Sequence, residues 1–354
     1  MDQLVSPDVG GNAAKPASAV MGAPPRAHDH AARLTTTTLG ALAIVLAAVS
    51  FCVGPARLSL PDLFAGLFAN HGTISIIALE IRLPRALLGL FVGGALGASG
   101  AALQGLFRNP LAEPGITGVT SCAGLGAIIA LYFGLANVLA LPVFAIAGAL
   151  AAAGILYLLS RSGAGLSALV LAGVAIASFA TALTALALSL ASNPYAMSEM
   201  VRWMLGSLKD ATFGELAVAA PIVSVGILVL LSARRGLDAL ILGEEAAGSL
   251  GIDLHAVRRR VVIGVALATG AATSVAGAVS FVGLVVPHLL RRFYGYEPAR
   301  LIWPSALGGA SLVTAADVGI RLVSPDEKLL LGVVTALIGA PFFVWLILKL
   351  RTES

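Results

Sequence analysis

Charged residues are scarce in this chain of 354 residues: they make up 11% of the sequence, against 58% for hydrophobic residues. Soluble domains carry roughly 25% charged residues, so this composition excludes a soluble globular fold. The mean hydropathy of +0.96 agrees with that exclusion. No polar stretch is long enough to build a second domain. The sequence therefore predicts an all-α, polytopic integral membrane protein.

Motifs for enzymatic chemistry are also missing. No Gly-x-x-x-x-Gly-Lys-Ser/Thr loop includes any of the four lysines, so we expect no ATP hydrolysis by this chain. Neither His-Glu-x-x-His nor Gly-x-Ser-x-Gly occurs, which argues against a membrane protease or esterase. The two cysteines, Cys52 and Cys122, are predicted to be core residues. We expect no metal site, no cofactor bound by this chain and, with a net charge of only +4, no nucleic-acid partner.

Residues 1–33 lack the apolar centre that a cleaved signal peptide requires. They are rich in Ala, Pro and Gly and are predicted to form a disordered cytoplasmic tail. The membrane domain is predicted over residues 34–350, with a polar cytoplasmic insert at 234–260. The assignment of the tail and the insert to the cytoplasmic side rests on the distribution of Lys and Arg across the predicted loops.

A membrane-crossing helix needs about 20 apolar residues. Stretches that meet this length, or nearly so, are 34–56, 86–107, 116–134, 139–160, 166–191, 216–233, 301–316 and 329–348. The stretch 261–290 is too long for one crossing. Two crossings, the second short and broken near Pro287, place 15 of the 22 basic residues on one side. Because Lys and Arg favour the cytoplasm, the prediction is about ten helices with both termini cytoplasmic.

Small residues recur at four-residue spacing in two of these helices. Gly93, Gly97, Ala101 and Gly105 form one such strip, and Gly270 begins another with Ser274 and Ala278. Strips of this kind let helix backbones approach closely within a membrane. We therefore predict close helix contacts along both strips.

The polar insert at 234–260 interrupts an otherwise apolar chain. Its pattern predicts a short amphipathic element over residues 237–250, which presses on a soluble motor protein. Leu240, Ile241 and Leu250 would otherwise be exposed apolar side chains without a partner. The alternative is an ordinary solvated loop. The residues predicted to contact the motor protein are Leu237, Leu240, Ile241, Gly243, Glu244, Glu245, Leu250 and Gly251.

Basic residues stand on the opposite side at Arg82-Leu83-Pro84-Arg85, where the second span begins. Two arginines there could pair with carboxylates of a docking protein, or they could anchor lipid headgroups. Arg321 is predicted to lie on the same surface. Asp317, four residues before it, is expected to pair with it rather than to mark an ion path.

Two further segments each allow a functional and a structural interpretation. Tyr195, Met197, Met200, Arg202 and Trp203 would suit a flat, anionic ligand, or they form an interfacial belt. Glu113, bracketed by two prolines, is predicted to lie in a structural turn rather than at an inner gate.

Five segments together resemble the FecCD-type permease subunits of bacterial ABC importers for iron siderophores, haem and cobalamin. They are residues 82–85 (Arg-Leu-Pro-Arg), 109–115 (Asn-Pro-Leu-Ala-Glu-Pro-Gly), 242–247 (Leu-Gly-Glu-Glu-Ala-Ala), 281–288 (Phe-Val-Gly-Leu-Val-Val-Pro-His) and 332–343 (Gly-Val-Val-Thr-Ala-Leu-Ile-Gly-Ala-Pro-Phe-Phe). The resemblance covers roughly residues 41–350.

The resemblance implies the type II ABC importer permease fold and a homodimer in the bacterial inner membrane. It implies two cytoplasmic ABC ATPase subunits, which bind ATP and Mg²⁺, and a periplasmic substrate-binding protein. By position, Arg82, Arg85 and Arg321 resemble the family's docking residues. Ser178, Thr181 and Thr184 resemble path-lining residues.

The segment around Pro287 and the Arg202 cluster resemble haem importers most. A ferric-siderophore or cobalamin importer is the alternative. A secondary transporter driven by an ion gradient is a weaker one, because it would need ion-binding polar groups at the membrane midplane.

Overall fold

The computed structural model describes residues 25–56, 58–68, 72–135, 137–161, 166–295, 297–324 and 328–352. Every element within those ranges is helical, which confirms the all-α class. The first helix begins at Pro25, so residues 25–33 of the predicted disordered tail are helical. The rest of that predicted tail, residues 1–24, lies outside the described ranges.

The described chain forms fifteen α-helices and one π-helix. In order they are α1 (Pro25–Cys52), α2 (Leu60–Phe68), α3 (Thr73–Ser75), the π-helix (Ile76–Arg82), α4 (Leu83–Leu106), α5 (Val119–Tyr132), α6 (Ala140–Arg161), α7 (Leu166–Ser189), α8 (Pro194–Met204), α9 (Phe213–Ser232), α10 (Arg234–Ile241), α11 (Glu244–Ser249), α12 (Leu254–Ala276), α13 (Val282–Tyr294), α14 (Pro298–Val323) and α15 (Leu331–Thr352).

Ten of these helices correspond, in order, to the ten predicted spans. By length and composition, seven can cross a membrane: α1, α4 with the π-helix before it, α6, α7, α9, α12 and α14. Helices α5 and α15 are further apolar elements. Helix α13, with 13 residues, is the predicted short second crossing.

Helix α4 lies at the centre of the bundle and packs against α14, α12, α9 and α13. Its predicted small-residue strip faces α14. A methyl group built on Gly97 would lie 1.9 Å from the Ser305 carbonyl oxygen, and one on Gly93 would lie 2.1 Å from the Gly309 oxygen. Gly105, one turn further on, lies against Pro298. These glycines bring two backbones together where lipid offers no hydrophobic drive.

The predicted break near Pro287 was placed wrongly. Helix α12 ends before Gly277, and the chain turns through Gly277 and Phe281, both with φ of +66°. Pro287 lies inside α13. Its missing N–H leaves the Gly283 carbonyl without the usual helical donor. The Gln104 Nε2 amide of α4 donates to that carbonyl over 3.3 Å, which explains why the proline is tolerated.

Helix α13 begins in the interior of the bundle, where Gly100 of α4 touches the backbone of Gly283. The connection between α4 and α5 enters the same region, and Pro114 lies beside Gly283. The turn predicted around Glu113 is observed there, and the Phe281 N–H donates to the Glu113 carboxylate. The connection that leads into α5 and the residue that precedes α13 therefore share a polar contact within the bundle.

Candidate functional site

The polar insert forms two short helices: α10 packs against α4 and α14, and α11 packs against α10 and the start of α12. Leu237 and Leu240 are 0% and 3% exposed and pack into the core. The Asp238 carboxylate accepts a hydrogen bond from the Ala299 N–H of α14 at 2.9 Å. The pKa of that carboxyl is raised, because the effect of burial exceeds the opposite effect of the hydrogen bond from the Ala299 N–H. Helix α10 is therefore fixed to the bundle on one face. We call the end of the bundle that carries α10 and α11 the α10 end.

The expectation that Leu240 is exposed was wrong, because α10 turns that residue toward the core. The exposed apolar side chains of this segment are Ile241, Leu242 and Leu250, at 46%, 66% and 63% exposure. Leu242 was missed as a contact residue, although it belongs to the Leu-Gly-Glu-Glu-Ala-Ala motif. Leu237, also predicted to contact a partner, belongs to the core instead.

Gly243 and Gly251 shape the turns on either side of α11, with φ of +101° and +76°. Gly243 precedes the first turn of α11, which carries the acidic residues Glu244 and Glu245. Both acidic side chains are exposed. Glu244 also pairs with Arg258 of α12 at 2.7 Å, so α11 is attached to the following span. The segment thus presents apolar and acidic side chains on a rigid support.

The three predicted docking arginines are buried and satisfied within the protein. Arg82, Arg85 and Arg321 are 3%, 7% and 6% exposed, and Asp317 between them is 3% exposed. Arg85 donates to both Asp317 oxygens over 2.8–3.2 Å, and Arg321 pairs with the same carboxylate at 2.8 Å. We call these four residues the arginine cluster. These guanidinium groups are engaged with internal acceptors instead of being presented on an exposed surface, and their role in docking stays a prediction.

The other acceptors belong to the carboxyl end of α1. A helix leaves its last four carbonyls without intrahelical donors. Arg82 donates to the Cys52 carbonyl at 2.7 Å and to that of Phe51 at 3.2 Å, and Arg321 donates to the Ser50 carbonyl at 2.8 Å. The arginine cluster therefore caps α1 and ties it to the π-helix through Arg82 and to α14 through Arg321. The predicted pairing of Asp317 with Arg321 is confirmed, and Asp317 is doubly compensated by charge.

Helix α7 lies at the edge of the bundle and packs mainly against α5 and α6. Ser178 and Thr181 are exposed and line a groove of about 510 Å³ with Gly115 and Ile116. Thr184 is buried and donates to the Ala180 carbonyl, so it does not line the groove. Two of the three predicted path residues therefore share one open surface.

The five residues predicted to suit a flat, anionic ligand, from Tyr195 to Trp203, all lie in α8, at the end of the bundle opposite α10. Arg202 and Trp203 line a cavity of about 510 Å³, to which Gly277 at the end of α12 also contributes. Tyr195 is 88% exposed and Met197 is 47% exposed. Neither of them lines this cavity. Met200 is 1% exposed and belongs to the core, so the structure separates the five predicted residues.

The same cavity holds charged residues that sequence reasoning missed. Its lining also includes Glu199, Lys209, Asp210, Glu215 and Lys328. Arg202 lies 3.7 Å from Asp210, with both side chains mostly exposed. The signal was present in the sequence, because Lys209 and Asp210 are charges placed between two apolar spans. Among the described residues, no group of three or more His, Cys, Asp or Glu is arranged to hold a metal ion.

Comparison with known proteins identifies relatives along almost the whole chain. The hemin transport system permease protein HmuU of Yersinia pestis is 40% identical over 328 residues, covering 91% of this chain and 97% of HmuU. The vitamin B12 import system permease protein BtuC of Shigella boydii is 38% identical, covering 88% and 94%. The Fe(3+) dicitrate transport system permease protein FecD of Escherichia coli is 37% identical, covering 78% and 86%.

A solved structure has the same architecture. It is described as an inward-facing conformation of a putative metal-chelate type ABC transporter, with a TM-score of 0.79 and 29% identity. The match covers 89% of this chain and 98% of that one. The FecCD transport family itself matches residues 42–349. These ten helices, with α10 and α11 between the sixth and seventh, belong to a member of the FecCD transport family.

Proposed function

We propose that this chain is the permease subunit of an ATP-driven importer for haem. The observation that carries the proposal is its 40% identity to a hemin permease along 97% of that protein's length. The vitamin B12 and ferric dicitrate permeases are only slightly less similar. Cobalamin and other iron chelates are therefore the alternative ligands.

The exposed face of α10 and α11 supports coupling to a separate ATPase. Ile241, Leu242 and Leu250 are large apolar side chains on a polar segment, and such groups mark protein contacts when they cluster. Two ATPase subunits, each binding ATP and Mg²⁺, would press on this surface in a homodimer of the permease. Closure of the ATPase pair would then shift the helices between two states, biased by nucleotide and ligand.

The groove on α7 supports a translocation path between two copies of the chain. Ser178 and Thr181 are exposed on the face of α7 that lines the groove, so their hydroxyl groups lie on an open surface of the described chain. A second copy facing this groove would enclose it. The distribution of basic residues favours α10 on the cytoplasmic side of the bacterial inner membrane, with both termini there. A periplasmic binding protein would then deliver its ligand at the opposite end.

Uptake into proteoliposomes tests the proposal. The permease, its cognate ATPase and its binding protein should accumulate haem only when ATP is present on the ATPase side. Ferric siderophore and cobalamin, assayed in parallel, decide among the ligands. Uptake driven by a proton gradient without ATP would overturn the assignment to this transporter class.

The same preparation tests the coupling surface through the double variant Leu242→Asp/Leu250→Asp. Burying one leucine contributes about 1.5–3 kcal/mol, so the loss of two should weaken ATPase association about 100-fold or more. The control is Leu135→Asp, which changes an exposed leucine at the opposite end of the bundle. Unchanged ATPase affinity in the double variant would refute the contact.

A further inference from the structure

A second polar cavity lies at the α10 end, beside the coupling surface, with which it shares Ile241, and apart from the α7 groove. It has a volume of about 220 Å³, well above the ~10–15 Å³ that one water requires. Helices α4, α10, α13 and α14 all contribute to its wall. Its polar lining consists of Gln104, Arg108 and Arg291, and its apolar lining includes Ile241 and Leu301.

The two arginines give this cavity a positive charge. None of the described residues that line it is acidic. Two neighbouring acidic residues do not line the cavity and are engaged elsewhere: Asp238 accepts from the Ala299 N–H, and Glu297 pairs with Arg300 at 2.6 Å. Arginine presents a planar fork of donors that matches phosphate oxygens. The lining therefore suits an anionic oxygen group.

The orientation of Arg291 is built into the fold. Gln104 is 2% exposed, and its Nε2 donates to the carbonyls of Gly283 and Leu284 on α13. Its Oε1 consequently faces the Arg291 guanidinium and accepts a hydrogen bond at 2.9 Å. A buried amide with both ends engaged holds the arginine at the cavity wall, which reduces the ordering cost of binding.

Arg108 reaches the cavity through an unusual backbone conformation. Its φ is +46°, one of two positive values among the described non-glycine residues. Such a conformation costs of order 1–3 kcal/mol and persists only where its surroundings hold it. The turn after α4 places Arg108 in the lining of the same cavity as Arg291. The two arginines thus reach one volume from separate segments, the turn after α4 and helix α13.

We infer that Gln104, Arg108 and Arg291 form a binding site for a phosphate group at the α10 end of the bundle. Two sources have this chemistry: the headgroup of an anionic phospholipid, and a phosphate dissolved in the aqueous phase. Basic pockets between membrane helices are suited to lipid headgroups. An occupant would connect α4 and α13 with Ile241, the last residue of α10.

The test uses the full-length chain, purified and stripped of lipid. Phosphatidylglycerol is titrated in detergent, and bound lipid is counted by native mass spectrometry. Arg108→Gln is the lead variant, because Arg108 is exposed and its replacement leaves the Gln104–Arg291 hydrogen bond intact. One charge-assisted hydrogen bond corresponds to about tenfold in affinity, so the variant should bind phosphatidylglycerol about tenfold more weakly.

The matched control is Arg292→Gln. Arg292 is exposed, follows Arg291 directly and lies over the Phe293 ring at 4.5 Å, outside the cavity lining. It should retain wild-type binding, which separates a built site from a general effect of positive charge. Equal affinity for phosphatidylglycerol in all three proteins, with no effect of phosphate, would overturn the proposal.

A parallel arm identifies the source of the phosphate. Inorganic phosphate is compared with chloride at equal ionic strength, with the unfolding temperature as the readout. A stabilisation by phosphate that Arg108→Gln abolishes, without any difference in lipid binding, assigns the site to a soluble phosphate. A difference in lipid binding assigns it to the headgroup. Neither result depends on which ligand the protein transports.

Discussion

The arginine cluster makes a quantitative prediction for Asp317→Asn. This carboxylate is 3% exposed and pairs with Arg85 and Arg321, both at 2.8 Å. The variant keeps the shape of the side chain but removes the charge that compensates two buried guanidinium groups. Removing one member of a buried ion pair costs about 3–5 kcal/mol. For a chain of this size we expect the unfolding temperature to fall by about 3–8 °C.

Asp210→Asn is the matched control for that variant. Asp210 pairs with Arg202 at 3.7 Å, but both side chains are largely exposed at 69% and 77%. An exposed pair contributes about 0–1 kcal/mol, so its loss should change the unfolding temperature little. Circular dichroism of both variants in lipid nanodiscs, heated in parallel, gives the comparison.

A double-mutant cycle would assign the effect to the pair itself. Arg85→Met, Asp317→Asn and the double variant should show a coupling energy between about 0.5 and 3 kcal/mol, as expected for residues in direct contact. Equal shifts for Asp317→Asn and Asp210→Asn would refute the reasoning. In that case the cluster would not contribute to stability as a buried pair does.

Two other predictions concern packing and pH. Gly93→Ala should severely reduce the yield of folded protein, because its methyl group would lie 2.1 Å from the Gly309 oxygen. Gly94→Ala should be tolerated, because its methyl group would lie 3.6 Å from the Ala306 oxygen. Equal yields of the two variants by gel filtration would contradict this. Burial raises the pKa of Asp238 above 3.8, so the folded state binds its proton more tightly than the unfolded state. Its contribution to stability therefore falls as pH rises through the window above 3.8. Asp238→Asn lacks this titration, so its unfolding temperature relative to wild type should increase across that window, and a constant difference would exclude the effect.

The membrane spans could be predicted from the sequence because uncharged length is a direct signal of a crossing helix. The second crossing within 261–290 was also predictable, since the positions of Arg291, Arg292 and Arg300 require it. The position of the break was not, because Pro287 usually interrupts a helix. Here Gln104, far away in sequence, donates the hydrogen bond to the Gly283 carbonyl that proline, which has no N–H, cannot donate.

The site was predicted less completely, for a related reason. The sequence shows that Arg82, Arg85 and Arg321 are basic, but not that the free carbonyls of α1 lie within their reach. The insert is amphipathic as predicted, yet Leu240, which was expected to be exposed, lies in the core, and the exposed Leu242 was missed. One residue rotates a helical side chain by about 100°, and only the packing against α4 and α14 fixes which leucine faces the core.

The amide of Gln104 has a mechanical consequence for any movement of this protein. It completes the helical bonding of α13 from outside, and Gly100 brings the two backbones into contact a turn away. Sliding α13 along α4 would leave the buried Gly283 carbonyl without its donor and open a gap beside Gly100. We therefore expect α4 and α13 to tilt as a single unit, with flexion confined to the loops at their ends.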